Sequence, residues 1–412
     1  MQGAAAVRAE CSGRRWYVSG MSAYTRYAAV ALVAALAVGC GGPPSSTPHP
    51  APHSARQPFA KAKPRGEAGA AMTKDVRPFT LVAGGDIIPS SPDVLETARG
   101  DAMGTGYDYR PMLAGVKSVV FGADLALCHL GAPLGPLTGP FTGYPVYQAP
   151  PQLATALKAT GYDSCSTASS HVLDQGVPGV SRTLEAMDTV GLRHVGSGRN
   201  AAEGARPALL RADGGARVAH LAYTYGTDQK RRPASAPWTV NLINARKIIA
   251  DARAARRAGA DVVVVSPHWG AEYRTAPSEE QLRLARALTA STTDGRPDID
   301  LILGSHAQTP QPYEKVNGTW VVYGLGDQVS GAMRRPEGNW GTLARFRFAP
   351  PDRAGQRWKV TRAQYIPQLA ELGPPLRVRN LARTAGHRDV RTAIRKAVLS
   401  RGAHAEGLRM GR

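Results

Sequence analysis

The sequence predicts an α/β fold with largely parallel strand pairing. Three observations carry this expectation. Short apolar, β-branched runs recur along the chain, each run is bounded by Gly, Pro or Ser, and amphipathic helical patterns lie between them. The strand-like runs are PFTLVAGGD ending at Asp86, DLALCH ending at His129, YDSCSTASSH reaching His171, and RVAHLAYTYG over 217–226. They continue with DVVVVSPH ending at His268, IDLILGSH ending at His306 and TWVVYGLGD ending at Asp327. Helical spacing appears over 177–190, with Leu184 and Met187, and over 241–258, where Ile243, Ile248, Ile249 and Ala252 share a face. A third helix over 278–290 starts at Ser278, a natural N-cap with acids in the first turn, and carries the stripe Leu282, Ala285, Leu288. Two later runs, 341–349 and 357–367, follow each other without a helix and read as an antiparallel edge or a second sheet. The expected folded domain is 77–370, followed by a basic, partly helical tail over 371–412.

The chain has 412 residues, 43% of them hydrophobic, and a formal net charge of +20. That is ample for a large core. So basic a balance favours polyanionic partners, or else reflects a solvated Arg-rich surface. There is no zinc finger, no RNP-type aromatic and basic signature and no basic zipper, so nucleic acid is not an expected partner.

From Met21 the chain reads MSAYTRYAAVALVAALAVGC, one positive charge before a short apolar run that ends in small residues and Cys40. This resembles a secretory signal with a bacterial lipobox, and translation starting at Met21 would suit it better than Met1. The expectation is a signal segment over 1–40, lipidation of Cys40, and anchoring to the outer face of the bacterial cell membrane. Residues 41–76, rich in Pro, Ser, Ala and charge, read as a disordered tether. Four cysteines are present, and only Cys128 and Cys165 fall in the folded part. In an exported protein they form either one disulfide or two buried thiols.

Ten histidines are present. His49 and His53 lie in the tether, His387 and His404 in the tail, and His194 and His220 in apolar surroundings that suggest structural roles. The remaining four, His129, His171, His268 and His306, each follow an expected strand, as Asp86 does. Ligands of open α/β sheets bind outside the carboxyl ends of the strands. Four imidazoles and a carboxylate at one sheet edge suit Zn²⁺, Mn²⁺ or Fe.

The order GGDIIPS, HLGAPL, STASSHVLDQG, HWGAEY, GSHAQTPQPYE and VVYGLGDQ resembles the CapA family, linked to poly-γ-glutamate capsule synthesis, which itself resembles the calcineurin-like metallophosphatases. The resemblance covers roughly 79–330. It implies a two-sheet α/β/β/α sandwich of the metallophosphatase type and a metal site built from Asp86, His171, His268 and His306. Asp174 and Glu272 match family positions that would orient imidazoles from outside the ligand set, and helix capping or a surface ion pair would equally explain them. Several positions depart from the family pattern. Gly131 stands where a glutamate is expected, His129 where an asparagine is, and Ser169-Ser170 where two asparagines precede the histidine. Gln308 replaces an imidazole and Asp327 an asparagine. With the bridging carboxylate missing, one divalent ion rather than two is expected, or none. His129 or His171 would act as general acid. The implied function is a cell-envelope protein of capsule or poly-γ-glutamate synthesis or export, a metal-dependent hydrolase acting on a phosphate or amide substrate. The alternative is a non-catalytic lipoprotein that binds an anionic envelope polymer.

Overall fold

The computed structural model describes residues 76–353 and 356–412. The signal-like segment, Cys40, and the tether up to residue 75 lie outside the described residues.

Along the chain run β1 (Phe79–Ile87), α1 (Pro92–Asp101), α2 (Ala114–Phe121), β2 (Leu125–Leu130), α3 (Gln152–Thr160), β3 (Ser164–Ser166), α4 (Gly176–Thr189) and β4 (Arg193–Val195). Next come α5 (Ala201–Gly204), β5 (Ala208–Arg211), β6 (Arg217–Thr224), α6 (Ala245–Arg257), β7 (Val262–His268) and α7 (Glu279–Thr289). A small hairpin, β8 (Thr292–Thr293) and β9 (Arg296–Pro297), precedes β10 (Leu301–Leu303), β11 (Tyr313–Val316), β12 (Thr319–Val322) and β13 (Asp327–Val329). The chain closes with β14 (Trp340–Ala349), β15 (Lys359–Glu371), β16 (Arg377–Asn380), α8 (Arg388–Leu399) and β17 (Leu408–Met410).

Two large sheets form. The first has the order β16-β15-β14-β1-β2-β3-β4, with β13 also beside β1 and β17 beside β15. The second has the order β11-β12-β10-β7-β6-β5, in which β6, β7, β10 and β12 run parallel. Alternation within the strands explains the layering. On β1 and β2, Phe79, Leu81, Ala83, Leu125 and Leu127 face Val218, Val262, Val264 and Leu301 of the second sheet. Their neighbours Val82, Ala126 and Cys128 point the other way, against Val116, Val120, Leu153 and Leu157 of α2 and α3. Val263 and Val265 likewise turn outward onto Ile248 and Ala252 of α6 and Ala285 and Leu288 of α7. Strands buried on both faces are apolar throughout, which is why these runs lack polar alternation in the sequence. The result is an α/β/β/α sandwich.

Local signals hold where expected. Ser278 caps α7 in a reciprocal box: its hydroxyl accepts the Gln281 N–H (3.2 Å), and Gln281 Oε1 accepts the Ser278 N–H (2.8 Å). Cys128 and Cys165 sit opposite each other on β2 and β3 and are disulfide-bonded. His220 is a satisfied core residue between the sheets, its ring nitrogens 3.1 Å from Ser164 Oγ and 2.9 Å from Ser266 Oγ. His194 differs from expectation. Its ring meets Asp188 (3.2 Å) and Glu203 (3.9 Å) rather than apolar neighbours.

The 341–349 and 357–367 runs form the antiparallel side of the first sheet rather than a second sheet. They continue the first sheet outward from β1, with β14 antiparallel to it. The expected boundary at 370 falls inside β15, and the segment read as a basic tail is integral to the domain. β16 and β17 both pair with β15, Leu376 and Val378 enter the core beside α2, and Ile394 and Val398 of α8 pack with Phe346 and Tyr365. The arginines of RVRN alternate with buried Val378 and Asn380, so their charge masked a strand pattern. Ile394→Ala should therefore destabilise the whole domain by about 2–4 kcal/mol in urea unfolding followed by circular dichroism. An independent tail would leave the midpoint unchanged.

Candidate metal centre

The site forms where strands of both sheets end. Asp86, near the end of β1, lies in register with His129 of β2 on one side and Asp327 of β13 on the other. His268 ends β7 and bridges to Ser305, which begins the turn carrying His306 and Gln308. Close backbone approach makes this convergence possible. Gly85 lies against the Gly326 carbonyl, where a Cβ would collide, and the Asp86 N–H donates to that same carbonyl (2.9 Å).

Asp86, His129 and His268 are buried, and their ligand atoms all lie within 4.8 Å of one another. His129 Nε2 is 3.8 Å from Asp86 Oδ1, and the rings of His129 and His268 stack with centroids 4.7 Å apart. Asp86 Oδ1, both ring nitrogens of His129 and His268 Nε2 have no hydrogen-bond partner among the described residues. His268 Nδ1 lies 3.2 Å from Ser305 Oγ, which orients the ring and leaves Nε2 free. Buried polar atoms are normally paired, so three residues that each bring one unpartnered ligand atom to the same space fit a divalent cation. Two imidazoles and a carboxylate suit Zn²⁺, Mn²⁺ or Fe²⁺.

The electrostatics agree. Burial pushes the Asp86 carboxyl up to about 7, offset in part by the His306 N–H that donates to Oδ2 at 2.7 Å. Burial, and then the neighbouring carboxylates of Asp86 and Glu272, push Asp327 well above the usual range. The Ser330 hydroxyl beside Asp327 is committed to the Gly338 carbonyl (3.0 Å). Burial also pushes His129 down to about 3 and His306 to about 4, and lowers His268 strongly. The imidazoles are thus held neutral, the form that donates to a metal.

All four expected metal ligands border one narrow pocket, but they do not form one ligand group. His306 packs against His268 (ring centroids 4.6 Å) and contributes its backbone N–H to Asp86. His171 stands at the mouth, its Nδ1 2.9 Å from Asp174 Oδ2 and its Nε2 3.8 Å from Asp228 Oδ2. Of the two imidazoles expected to move protons, His129 is buried among the ligand atoms, whereas His171 is partly exposed. Asp174 orients His171. Glu272 meets no imidazole; it accepts a hydrogen bond from Gln308 Nε2 (3.1 Å), and Gln308 Oε1 is left without a partner. His306 and Gln308 both adopt positive φ (89° and 53°), strain of a kind that gathers at functional sites. Gly131 lines the pocket, and its carbonyl accepts the Ser169 hydroxyl (2.9 Å).

Sequence reasoning left Asp327 out of the site, although it closes the strand-like run TWVVYGLGD; in the structure it opens β13. It also missed Tyr147, edge-on to His171 (4.6 Å), Tyr225, tilted over His306 (4.8 Å), and Asp228, which accepts the Tyr225 hydroxyl (2.8 Å). Tyr147 and Asp228 come from loops and carry no periodic signal, and Tyr225 follows directly on β6. A second group, Asp188, His194 and Glu203, is already satisfied by Arg199, which donates to both acids.

Comparison with known proteins bears on this geometry. The family model described as bacterial capsule synthesis protein PGA_cap matches residues 80–332. The chain is 29% identical over 179 residues to the capsule biosynthesis protein CapA of Bacillus anthracis, covering 42% of this chain and 41% of that one. It is 29% identical over 178 residues to the PGA biosynthesis protein CapA of Bacillus subtilis, covering 42% and 44%. A probable polyglutamine synthesis accessory protein of Mycobacterium tuberculosis is 28% identical over 192 residues, covering 44% and 49%. The matched region thus spans less than half the length of each of these relatives. Among solved structures, the calcineurin-like phosphoesterase YfkN of Bacillus subtilis overlaps 78% of this chain and 97% of its own, with a TM-score of 0.37 and 15% identity. That overlap is loose, and the assignment rests on the sequence match alone. The chain belongs to the PGA_cap family of bacterial capsule synthesis proteins.

Proposed function

We propose that the chain is a cell-envelope protein of capsule or poly-γ-glutamate synthesis that carries a hydrolytic centre built for one divalent ion. The carrying observation is the buried Asp86–His129–His268 group with its unpartnered donor atoms. The names of the relatives support the polymer, and the lipobox-like sequence before Cys40 supports an exported, lipid-anchored protein. Asp86, His129 and His268 would hold the ion, which when bound would supply Lewis acidity toward a phosphoryl or amide carbonyl oxygen. The protein's own residues do the rest. The His306 N–H fixes Asp86 Oδ2 and leaves Oδ1 directed at the ligand group. Asp174 holds the His171 ring, so that Nε2 faces the pocket mouth and moves a proton to or from the substrate. Tyr147 packs edge-on against that ring and restricts its rotation.

Metal analysis of purified protein grown with Mn²⁺ or Zn²⁺ should find about one ion per chain. Asp86→Ala and His268→Ala should remove it. His171→Ala should keep the ion yet lower phosphodiesterase or amide-hydrolase turnover by about 10²–10⁴-fold. A metal-loaded wild type with no turnover in either assay would sink the hydrolase reading.

Gly131→Glu offers a separate check. A Cβ at Gly131 would stand 3.1 Å from the Ile87 carbonyl, which accepts the Gly131 N–H and would have to give by a few tenths of an ångström, and φ there is not positive. The added carboxylate should raise the metal content above that of the wild type in the same analysis. An unchanged content would mean that more than this one donor separates the site from a two-ion centre.

A further inference from the structure

A second concave site lies on the outer face of the first sheet, well away from the strand ends. Its lining includes Arg345, Arg347, Arg362, Arg383 and Arg412 and no aspartate or glutamate side chain, around a cavity of about 260 Å³. It sits beside Thr80, six residues before Asp86 on β1, or about 20 Å along the strand from the metal centre.

The arrangement is built into the sheet. Arg345 and Arg347 alternate along β14 with Phe346 and Phe348, which are buried on the inner face. Arg347 is paired across the sheet with Arg362, and Arg345 with Gln364. Arg345 Nε donates to Gln364 Oε1 (3.0 Å), and Arg383 donates to Ser118 Oγ on α2 (2.9 Å). These contacts splay the guanidiniums around one space without neutralising them. Like charges directly opposite on neighbouring strands destabilise a sheet. Arg345 is half-buried, and its guanidinium is held below its ordinary value by burial and then by the charges of Arg362 and Arg383. The C-terminal turn of α2 faces the cavity, but a helix end offers only about half a negative charge against these arginines. Edge protection does not account for Arg345 and Arg347, because β14 is flanked by β1 and β15 at both positions.

We propose that this pocket binds an acidic peptide polymer, with successive carboxylates seated on Arg345, Arg347, Arg362 and Arg383. Guanidinium forks pair with carboxylates in bidentate fashion. Arg345 and Arg347 are two residues apart on one strand, about 7 Å, which suits a chain of separated charges better than one compact anion. The choice of polymer rests on the polyglutamate reading above; the anion site itself rests on the arginines alone.

The test measures binding of fluorescent oligoglutamate, inorganic phosphate and phosphatidylglycerol vesicles to the full-length chain, to the triple variant Arg345→Gln, Arg362→Gln, Arg383→Gln, and to Asp86→Ala. The wild type should bind oligoglutamate, and more weakly as salt rises. The triple variant should lose about tenfold to hundredfold in affinity with its metal content unchanged. Should the triple variant fail to fold, the exposed single variants Arg347→Gln and Arg362→Gln carry the same comparison. Asp86→Ala should bind as wild type does, so a failed hydrolase reading leaves this result standing. Oligoglutamate binding that is absent, or equal in wild type and arginine variants, overturns the proposal. Arginine-dependent binding of phosphate or vesicles without oligoglutamate also overturns it, in favour of a phosphate or membrane site.

Discussion

The hydrogen bond from the His306 N–H to Asp86 Oδ2, 2.7 Å long, is the constraint on which the rest of the site depends. It joins residues 220 positions apart and ties the end of β1 in one sheet to the turn after β10 in the other. Its two consequences are linked. One carboxylate oxygen is fixed, so the other is aimed at His129 and the space in front of His268. The turn that delivers the N–H holds His306 at a φ of 89°, a conformation that costs a non-glycine residue on the order of 1–3 kcal/mol. The same turn brings the His306 ring against His268. Backbone strain and ligand placement therefore have one cause.

The metal-free site works against the fold. Each buried polar atom left unpaired costs about 1–3 kcal/mol. Here Asp86, Asp327, His129 and His268 are buried together with several such atoms. A cation would satisfy the lone pairs and offset the clustered carboxylates at once. The scaffold beneath tolerates the arrangement because it is independently well fastened. Apolar packing fills both faces of β1 and β2, the Cys128–Cys165 bond joins β2 to β3 one residue before His129, and His220 links the sheets through two serines. This is a site placed at the edge of a finished core, where lost stability is local.

The sequence made the parallel strands and their ends legible, because apolar runs buried on both faces terminate abruptly in polar ligands. Asp86, His129, His268 and His306 were all visible on that basis. Their division of labour was not. Which imidazole faces the cavity depends on the register between β1 and β2 and on the bridge between His268 and Ser305, neither of which is a local property. Tyr147 and Asp228 were invisible because loops have no period, and Tyr225, inside the expected run 217–226, falls one residue past the end of β6. The C-terminal strands were hidden for another reason: arginines on their outward faces lowered apparent hydrophobicity while Val378 and Leu408 took the buried positions. Charge there obscured structure, and it is taken up locally: Arg377 pairs with Asp101 and Arg379 with Glu371.

The substituted positions also read differently in three dimensions. Taken one by one, Gly131 in place of glutamate and Gln308 in place of histidine look like losses. Yet His129 in place of asparagine adds an imidazole to the ligand group, and Asp327 in place of asparagine adds a carboxylate in register with Asp86. Against the pattern that the resemblance implies, one carboxylate is missing at 131 and one added at 327, and one imidazole is missing at 308 and one added at 129. The numbers of carboxylates and imidazoles at these four positions are therefore unchanged, while their positions move deeper, from the pocket wall toward the ends of β1, β2 and β13. The Asp86–His129–His268 group would suit a single enclosed ion, because two cations repel strongly at short range unless an anionic bridge lies between them.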